Sequence, residues 1–385
     1  MKVLHVITGL GVGGAELQLW SQLKHTRHDP AVVTLYNKGP VAEMLEADGV
    51  RVTDLGMTGN TQLSALGRLY RLIRAGRYDV VHTHLYRSQV YGRIAAWLAR
   101  TPVVLTTEHS IGDTHLERRK MTAGVRALYL ASERCSAATI AVSDTVRERL
   151  VRWGVPAGRI HTIPNGVDFG RVAFDETARK QIRDEFGIPQ DAVVTGVLGR
   201  LDANKRFDLV IKAIAPLLSA DRRLLVVGKG DERTHLEQVA RAHEVADRVV
   251  FAGERHDVAA MFSAMDLFIA SSAQETFGLS VLEALGNGMP ALYTTCPALD
   301  DISTDRARQV PGTAADLRGA IEEALAREPL PRTPDAAVHQ RYGIEPVAAA
   351  VDDLYESLAG HRAPAVPRPR TPAAVAEPQP SDLEA

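Results

Sequence analysis

The amino-acid sequence predicts an α/β chain of two doubly wound domains. Its 385 residues exceed what a single hydrophobic core ordinarily organises. Short apolar runs alternate with segments of helical spacing, and that alternation stops and restarts once. Between the two series lies Pro164-Asn165-Gly166-Val167-Asp168, where proline and the Asn-Gly pair mark a turn.

The runs of the first series are Val3–Thr8, Ala31–Leu35, Val80–Thr83 and Val103–Thr107. Ala15–Lys24, Leu63–Ala75 and Ser88–Ala99 lie between them with helical spacing. Strict β/α alternation implies a parallel sheet covered on both faces. The second series repeats this with Val193–Leu198, Leu224–Val227, Val249–Phe251, Leu267–Ala270 and Ala291–Thr294. Its helical segments are Phe207–Leu218, Asp231–His243, Asp257–Met265 and Leu279–Gly286. Val347–Leu358 follows as one more apolar helix. His361–Ala385 is rich in Pro and Ala and poor in large apolar residues, which predicts a disordered tail. The expected divisions are 1–165, 166–340, a last helix within 341–360, and the tail 361–385.

A net charge of -2 gives no electrostatic basis for binding nucleic acid. Cys135 and Cys296 have no metal-ligand spacing, and they suit a reducing compartment. Met1–Ile7 runs straight into glycines, as a first buried strand does and a signal peptide does not. No stretch approaches the roughly 20 apolar residues of a membrane span. A soluble, cytoplasmic chain is expected.

Gly9-Leu10-Gly11-Val12-Gly13-Gly14 follows the first strand and precedes a helix, matching G-x-G-x-x-G through Gly9, Gly11 and Gly14. Such a loop lets backbone N–H groups and a helix N-terminus approach a phosphate. The same loop also reads as a tight turn, or as an NAD site. The NAD reading requires an acid closing the second strand, where this chain has Tyr36-Asn37-Lys38.

In the second half, Arg200 and Lys205 leave the carboxyl end of a strand, where open α/β sheets bind ligands. Two cations there suit a leaving diphosphate, although alone they also read as solvated loop charges. Ser271–Leu285 begins in a loop and enters a helix. Phe277 and Gly278 stand at its start, with backbone N–H groups free for an anion. Glu275 lies just before the helix, within reach of sugar hydroxyls. Glu283, two turns later, suits the paired hydroxyls of a ribose. Gly286-Asn287-Gly288-Met289-Pro290 closes the helix.

This ordered set, Gly13-Gly14-Ala15-Glu16, Pro164–Asp168, Gly199-Arg200…Lys205 and Glu275 with Glu283, resembles the retaining glycosyltransferases of family 4, whose E-x7-E motif the two glutamates match. The resemblance runs from the first loop to the Val347–Leu358 helix. It implies the GT-B fold: two Rossmann-like domains facing a cleft, the first for the acceptor and the second for the nucleotide sugar. The last helix would cross back to the first domain.

By that resemblance Arg200 and Lys205 clamp the donor diphosphate, Glu283 binds the ribose, and Glu275 holds a sugar hydroxyl. Phe277, Gly278 and Leu279 belong to the donor site, and Gly13 and Gly14 close over the phosphates. His109, at the end of the Val103 strand, would lie near the transferred sugar, with Glu16 on the acceptor side and His84 either lining the acceptor cleft or packing there. The donor is a nucleoside-diphosphate sugar. The acceptor the resemblance implies is a saccharide or a lipid-linked glycan of exopolysaccharide or other cell-surface synthesis. Retention in the family follows front-face attack assisted by the departing phosphate. No cofactor and no metal are implied, and Arg200 and Lys205 stand in for a divalent cation. Asp300-Asp301 lacks the strand context of a metal-binding Asp-x-Asp.

Two features depart from the pattern. Thr295-Cys296-Pro297-Ala298-Leu299 replaces the family's glycine-rich turn, and the following Glu is absent. His115–Arg134 carries Arg118-Arg119-Lys120 among Met121, Val125, Leu128, Tyr129 and Leu130. In relatives such a segment makes peripheral membrane contact, and it also reads as an ordinary surface helix. Other functions on these residues are a nucleotide-sugar epimerase of the same fold, an NAD-dependent oxidoreductase resting on the first loop, or a binding module without catalysis.

Overall fold

The computed structural model describes residues 1–59, 61–112, 115–116, 119–327 and 331–360; the expected tail at 361–385 lies outside the described residues. Seven strands form the first sheet: β1 (Lys2–Ile7), β2 (Asp29–Thr34), β3 (Arg51–Asp54), β4 (Val80–His84), β5 (Val103–Glu108), β6 (Ala138–Ala141) and β7 (Ile160–Thr162). Their order is β3-β2-β1-β4-β5-β6-β7. Six strands form the second: β8 (Val193–Leu198), β9 (Arg222–Val227), β10 (Val249–Gly253), β11 (Leu267–Ala270), β12 (Ala291–Tyr293) and β13 (Ala307–Gln309). Their order is β10-β9-β8-β11-β12-β13, and the pairing in both sheets is parallel.

Each sheet starts in its middle, winds to one edge, and resumes on the other side of its first strand. The loops leaving β1 and β4 therefore diverge, as do those leaving β8 and β11. Each divergence opens a crevice at the carboxyl ends of the strands. This is the architecture expected, with several boundaries moved. β4 and β5 are buried at every residue, which is why they read as unbroken runs. β3, β7 and β13 escaped the sequence reading because they are short and lie on sheet edges. β6 escaped it as four small or branched residues with no polar alternation. His109 stands one residue beyond the end of β5.

The chain passes between the domains twice, side by side. The Val167 N–H donates to the Tyr342 carbonyl at 2.7 Å, and the Ile344 N–H donates to the Val167 carbonyl at 3.1 Å. A Cβ on Gly166 would come 2.8 Å from the Ile344 Cα, so only glycine admits this approach. The Ile344–Gly360 helix then lies on the first sheet. Its Val351, Leu354 and Tyr355 pack against Val3, Val80, Val103, Leu105 and Ile140. Each such side chain contributes on the order of 1.5–3 kcal/mol. Asp352 fixes the helix laterally, accepting from the Thr26 hydroxyl at 2.8 Å and the Arg27 N–H at 2.7 Å.

The stretch considered for membrane contact contains a helix, Ala123–Glu133, capped by the Thr122 hydroxyl. Tyr129 is fully buried, and Met121, Val125 and Leu130 pack against the core, leaving Leu128 exposed. Its apolar residues thus face mainly inward. Arg118 lies outside the described residues. Among those described, no helix is long and apolar enough to cross a membrane.

Gly166→Ala should destabilise the protein by about 1–3 kcal/mol, the usual cost of overfilling a packed contact. Urea denaturation followed by circular dichroism checks it; an unchanged midpoint would mean the two crossings separate freely.

Candidate active site

The second domain contributes two loops that lock onto each other. After β8 the chain enters a turn in which the Asp202 carboxylate accepts from the N–H groups of Asn204, at 3.1 Å, and Lys205, at 3.2 Å. Asn204 then binds the loop after β11 from both ends of its amide. Its Nδ2 donates to the Gln274 carbonyl at 2.9 Å, and its Oδ1 accepts from the Gln274 N–H at 3.1 Å. The Ser271 hydroxyl donates to the Lys205 carbonyl at 2.6 Å. With its backbone fixed on both sides, Lys205 places Nζ 2.7 Å from Glu275 Oε1, and the two side chains are 22% and 20% exposed. Arg200 does not join them. It is 54% exposed and stands 3.7 Å from Asp202, so the expected pair of cations is split between an anchored lysine and a solvated arginine.

The Leu279–Gly286 helix begins at Gly278, whose φ of +102° and closeness to Cys296 exclude a side chain: a Cβ would fall 2.4 Å from the Cys296 sulfur. The Phe277 side chain is buried edge-on against Tyr342, with centroids 5.3 Å apart. Among the described residues the backbone N–H groups of Phe277, Gly278 and Leu279 donate to no protein acceptor. They form the positive end of the helix, an arrangement that suits an anion. The segment that departs from the family pattern braces this turn from behind. The Ala298 N–H donates to the Phe277 carbonyl at 3.0 Å, and the Tyr342 hydroxyl donates to the Ala298 carbonyl at 2.6 Å. Asp300 and Asp301 are exposed beyond it.

Glu283 lies on this helix, beside a cavity of about 220 Å³ lined by Arg171, Val172, His256, Asp257, Val258 and Ala259. Burial pushes its carboxyl up to about 7, against the pull of Arg171. With no ion pair of its own among the described residues, it is suited to accept hydrogen bonds from incoming hydroxyls.

From the first domain, Gly13 caps the Gly14–Leu23 helix. A Cβ there would meet Glu16 Oε2 at 2.5 Å, because the Glu16 carboxylate folds back over the helix start from the third helical position. Glu16, expected on the acceptor side, is therefore placed over the first turn of its own helix. Gly14 faces the other domain, a Cβ on it lying 3.7 Å from Leu279 Cδ1. Two helix N-termini thus oppose each other across the cleft. Gly9 is pressed against the Tyr36 and Asn37 carbonyls, with a Cβ at 3.0 Å from the former, where the NAD reading requires an acid.

The domains also touch beside the glutamate loop. The Thr276 hydroxyl donates to the His109 carbonyl at 2.8 Å, and the Ser143 hydroxyl donates to the Thr276 carbonyl at 2.6 Å. Arg149 Nη1 donates to the Ile111 carbonyl at 3.1 Å and the Glu275 carbonyl at 3.3 Å. His109 is thereby held next to Glu275 and Thr276, and burial lowers its imidazole to about 4, leaving it neutral. Of the two placements expected of His84, lining the cleft or packing there, the structure has the second. This ring is 1% exposed and sits behind His109, with His84 Nδ1 3.2 Å from His109 Nε2. Asn204, Ser143, Arg149 and Thr276 were not singled out from the sequence, since each has a partner 70 or more residues away.

Residues 12–171 match the family model described as Glycosyltransferase Family 4, and residues 178–341 match that described as Glycosyl transferases group 1. The chain is 31% identical over 311 residues to a D-inositol 3-phosphate glycosyltransferase of Xylanimonas cellulosilytica, covering 74% of each chain. It is 26% identical over 296 residues to the UDP-Gal:alpha-D-GlcNAc-diphosphoundecaprenol alpha-1,3-galactosyltransferase of Escherichia coli, covering 74% of this chain and 76% of that one. A crystal structure of Anabaena HepE in complex with UDP-glucose superposes with a TM-score of 0.82 at 22% identity, over 93% of this chain and 100% of that one.

The raised Glu283 carboxyl carries a pH signature. Between its ordinary value of 4.5 and about 7 the folded chain binds this proton more tightly than the unfolded chain. Stability from Glu283 is therefore present at low pH and is lost as pH rises through that window. Glu283→Gln should gain stability on wild type between about pH 4 and about pH 8, which bracket the window. Urea midpoints at both values check it, and a constant difference would contradict the burial of this carboxyl.

Proposed function

This chain belongs to glycosyltransferase family 4, and from that premise we propose that it transfers a hexosyl unit from a nucleoside-diphosphate sugar to a hydroxyl with retention and without a metal. The observation that carries the site assignment is the Lys205–Glu275 pair, 2.7 Å apart, held by loops of one domain that touch His109 of the other. Lys205 would neutralise the departing diphosphate together with the N–H groups of Phe277, Gly278 and Leu279. Gly13 and Gly14 would approach the phosphates from the opposing helix, and Arg200 would swing in from the rim. Glu283 would receive the ribose hydroxyls. Glu275, held by Lys205, would take a hydroxyl of the transferred sugar, with His109 beside it.

No side chain in this group is placed as an obvious nucleophile. Retention would then follow attack on the same face that the diphosphate leaves, with a phosphate oxygen taking the acceptor proton. Relatives differ in acceptor. One is named for D-inositol 3-phosphate, another for a diphosphoundecaprenol-linked sugar, and a third is an alpha-monoglucosyldiacylglycerol synthase. The acceptor class we infer is a saccharide or lipid-linked glycan of the cell surface. Any peripheral membrane contact through 115–134 would rest on charge more than on apolar insertion, since Leu128 is the large apolar side chain exposed there among the described residues.

Thermal stabilisation by UDP, GDP, ADP and NAD tests the reading, because a ligand of the folded state raises the midpoint with concentration. One nucleoside diphosphate should stabilise the wild type. Lys205→Ala should weaken its binding by about 1.5–3 kcal/mol, the range for a hydrogen bond to a charged group, and Arg200→Ala by less. Stabilisation by NAD alone would overturn the assignment.

A further inference from the structure

A row of histidines runs from the interior of the first sheet to the cleft. His5 on β1 pairs in register with His82 on β4, and His84 follows two residues later on the same face. Three of the four rings on this face form a chain of imidazole–imidazole hydrogen bonds. His5 Nδ1 lies 3.1 Å from His84 Nε2, and His84 Nδ1 lies 3.2 Å from His109 Nε2. The fourth, His82, is engaged elsewhere, 2.6 Å from the Tyr355 hydroxyl through Nδ1 and 2.7 Å from the Thr107 hydroxyl through Nε2. All four rings are buried.

One nitrogen from each of His5, His82 and His84 lies within 4.8 Å of the other two. Nitrogens sharing a metal at about 2.1 Å would stand roughly 3.4 Å apart, and both His82 nitrogens already have partners. The hydrogen-bonded chain accounts for the geometry better.

Such a chain has a strict logic. A neutral imidazole carries one proton, so His84 must donate through one nitrogen and accept through the other. If His84 donates to His5, its Nδ1 accepts from His109 Nε2–H, and His109 Nδ1 presents a bare lone pair. If His84 donates to His109, then His109 carries its proton on Nδ1. The tautomer of the outer ring is therefore tied to that of the inner two.

We propose that His84 and His5 are positioning residues for His109, holding it in one tautomer with its Nδ1 as the atom left for the bound sugar or acceptor. The proposal rests on the transferase reading only for what His109 meets; the chain itself stands on its geometry. Burial keeps each ring below its ordinary value, so no imidazolium interrupts the relay near neutral pH. The other titratable groups around it are His82 on β4, Tyr355 and Asp352 on the last helix, and Glu275 across the cleft. Asp352 is directed to Thr26, Arg27 and His28, and Glu275 to Lys205.

The test uses the full chain with 15N-labelled histidine and two-bond 1H–15N spectra, with the His109 signals assigned by their loss in His109→Asn. Wild type should show His109 as a single neutral tautomer from about pH 5 to 8. His84→Phe keeps a ring but removes both nitrogens. It should give mixed His109 tautomers and lower kcat by about tenfold or more, with the donor KM within about twofold. His84→Asn, whose amide can still meet His109 Nε2, should restore much of kcat and one tautomer. An unchanged His109 spectrum in folded His84→Phe would overturn the proposal. If that variant does not fold, His5→Phe, one bond further from the cleft, is read in the same way. Absence of nucleotide binding in wild type would instead defeat the transferase reading, while the spectra would still decide the chain.

Discussion

The narrow strip where the chain crosses between its two sheets governs the rest of the structure. Val167 going out and Gly343 coming back pair like adjacent strands, and Gly166 permits the approach because it carries no side chain. Two parallel crossings resist twisting in a way that one linker would not. They also set where the Ile344–Gly360 helix begins, and so where it can lie. Val351, Leu354 and Tyr355 then seal one face of the first sheet. That seal is what allows polar rings to be buried in the sheet beside it, because the Tyr355 hydroxyl gives His82 a partner that water would otherwise supply.

With the sheets so held, their carboxyl ends face each other, and each presents a helix N-terminus. Gly14 and Leu279 meet across the gap, and the partial positive charge of both helices is directed to one place. In the first domain the Glu16 carboxylate lies over the helix start. The second leaves Phe277, Gly278 and Leu279 open and adds Lys205. This asymmetry leaves the helix end of the second domain the more open of the two to an anion. Lys205 is in turn restrained by Glu275, so its charge is positioned without being fully neutralised by burial in a tight pair.

Much of this was legible beforehand because it depends on local chemistry. The buried parallel strands β4 and β5 announce themselves as apolar runs, and Gly278 marks the start of the helix carrying Glu283. The short edge strands β3 and β13 were not legible, since an edge residue needs no apolar side chain. The sequence also pairs Arg200 with Lys205 by spacing and leaves open whether His84 lines the cleft or packs there. In the structure Arg200 turns to solvent, and His84 lies one layer behind His109. Spacing along a loop does not fix the direction in which a side chain leaves it.

By itself the sequence determined the α/β class and the restart that makes two sheets, and it offered Glu275, Glu283 and Lys205 as polar candidates in the second. These follow from periodicity, turn chemistry and the order of motifs, which are properties of neighbouring residues. Only the tertiary structure decided which polar groups share a partner. Asn204 with Gln274, Thr276 with His109, Arg149 between Ile111 and Glu275, and the chain from His5 to His109 all join residues distant in sequence. Hydrogen bonds act over about 3 Å, so their pattern exists only once the two sheets have been brought face to face.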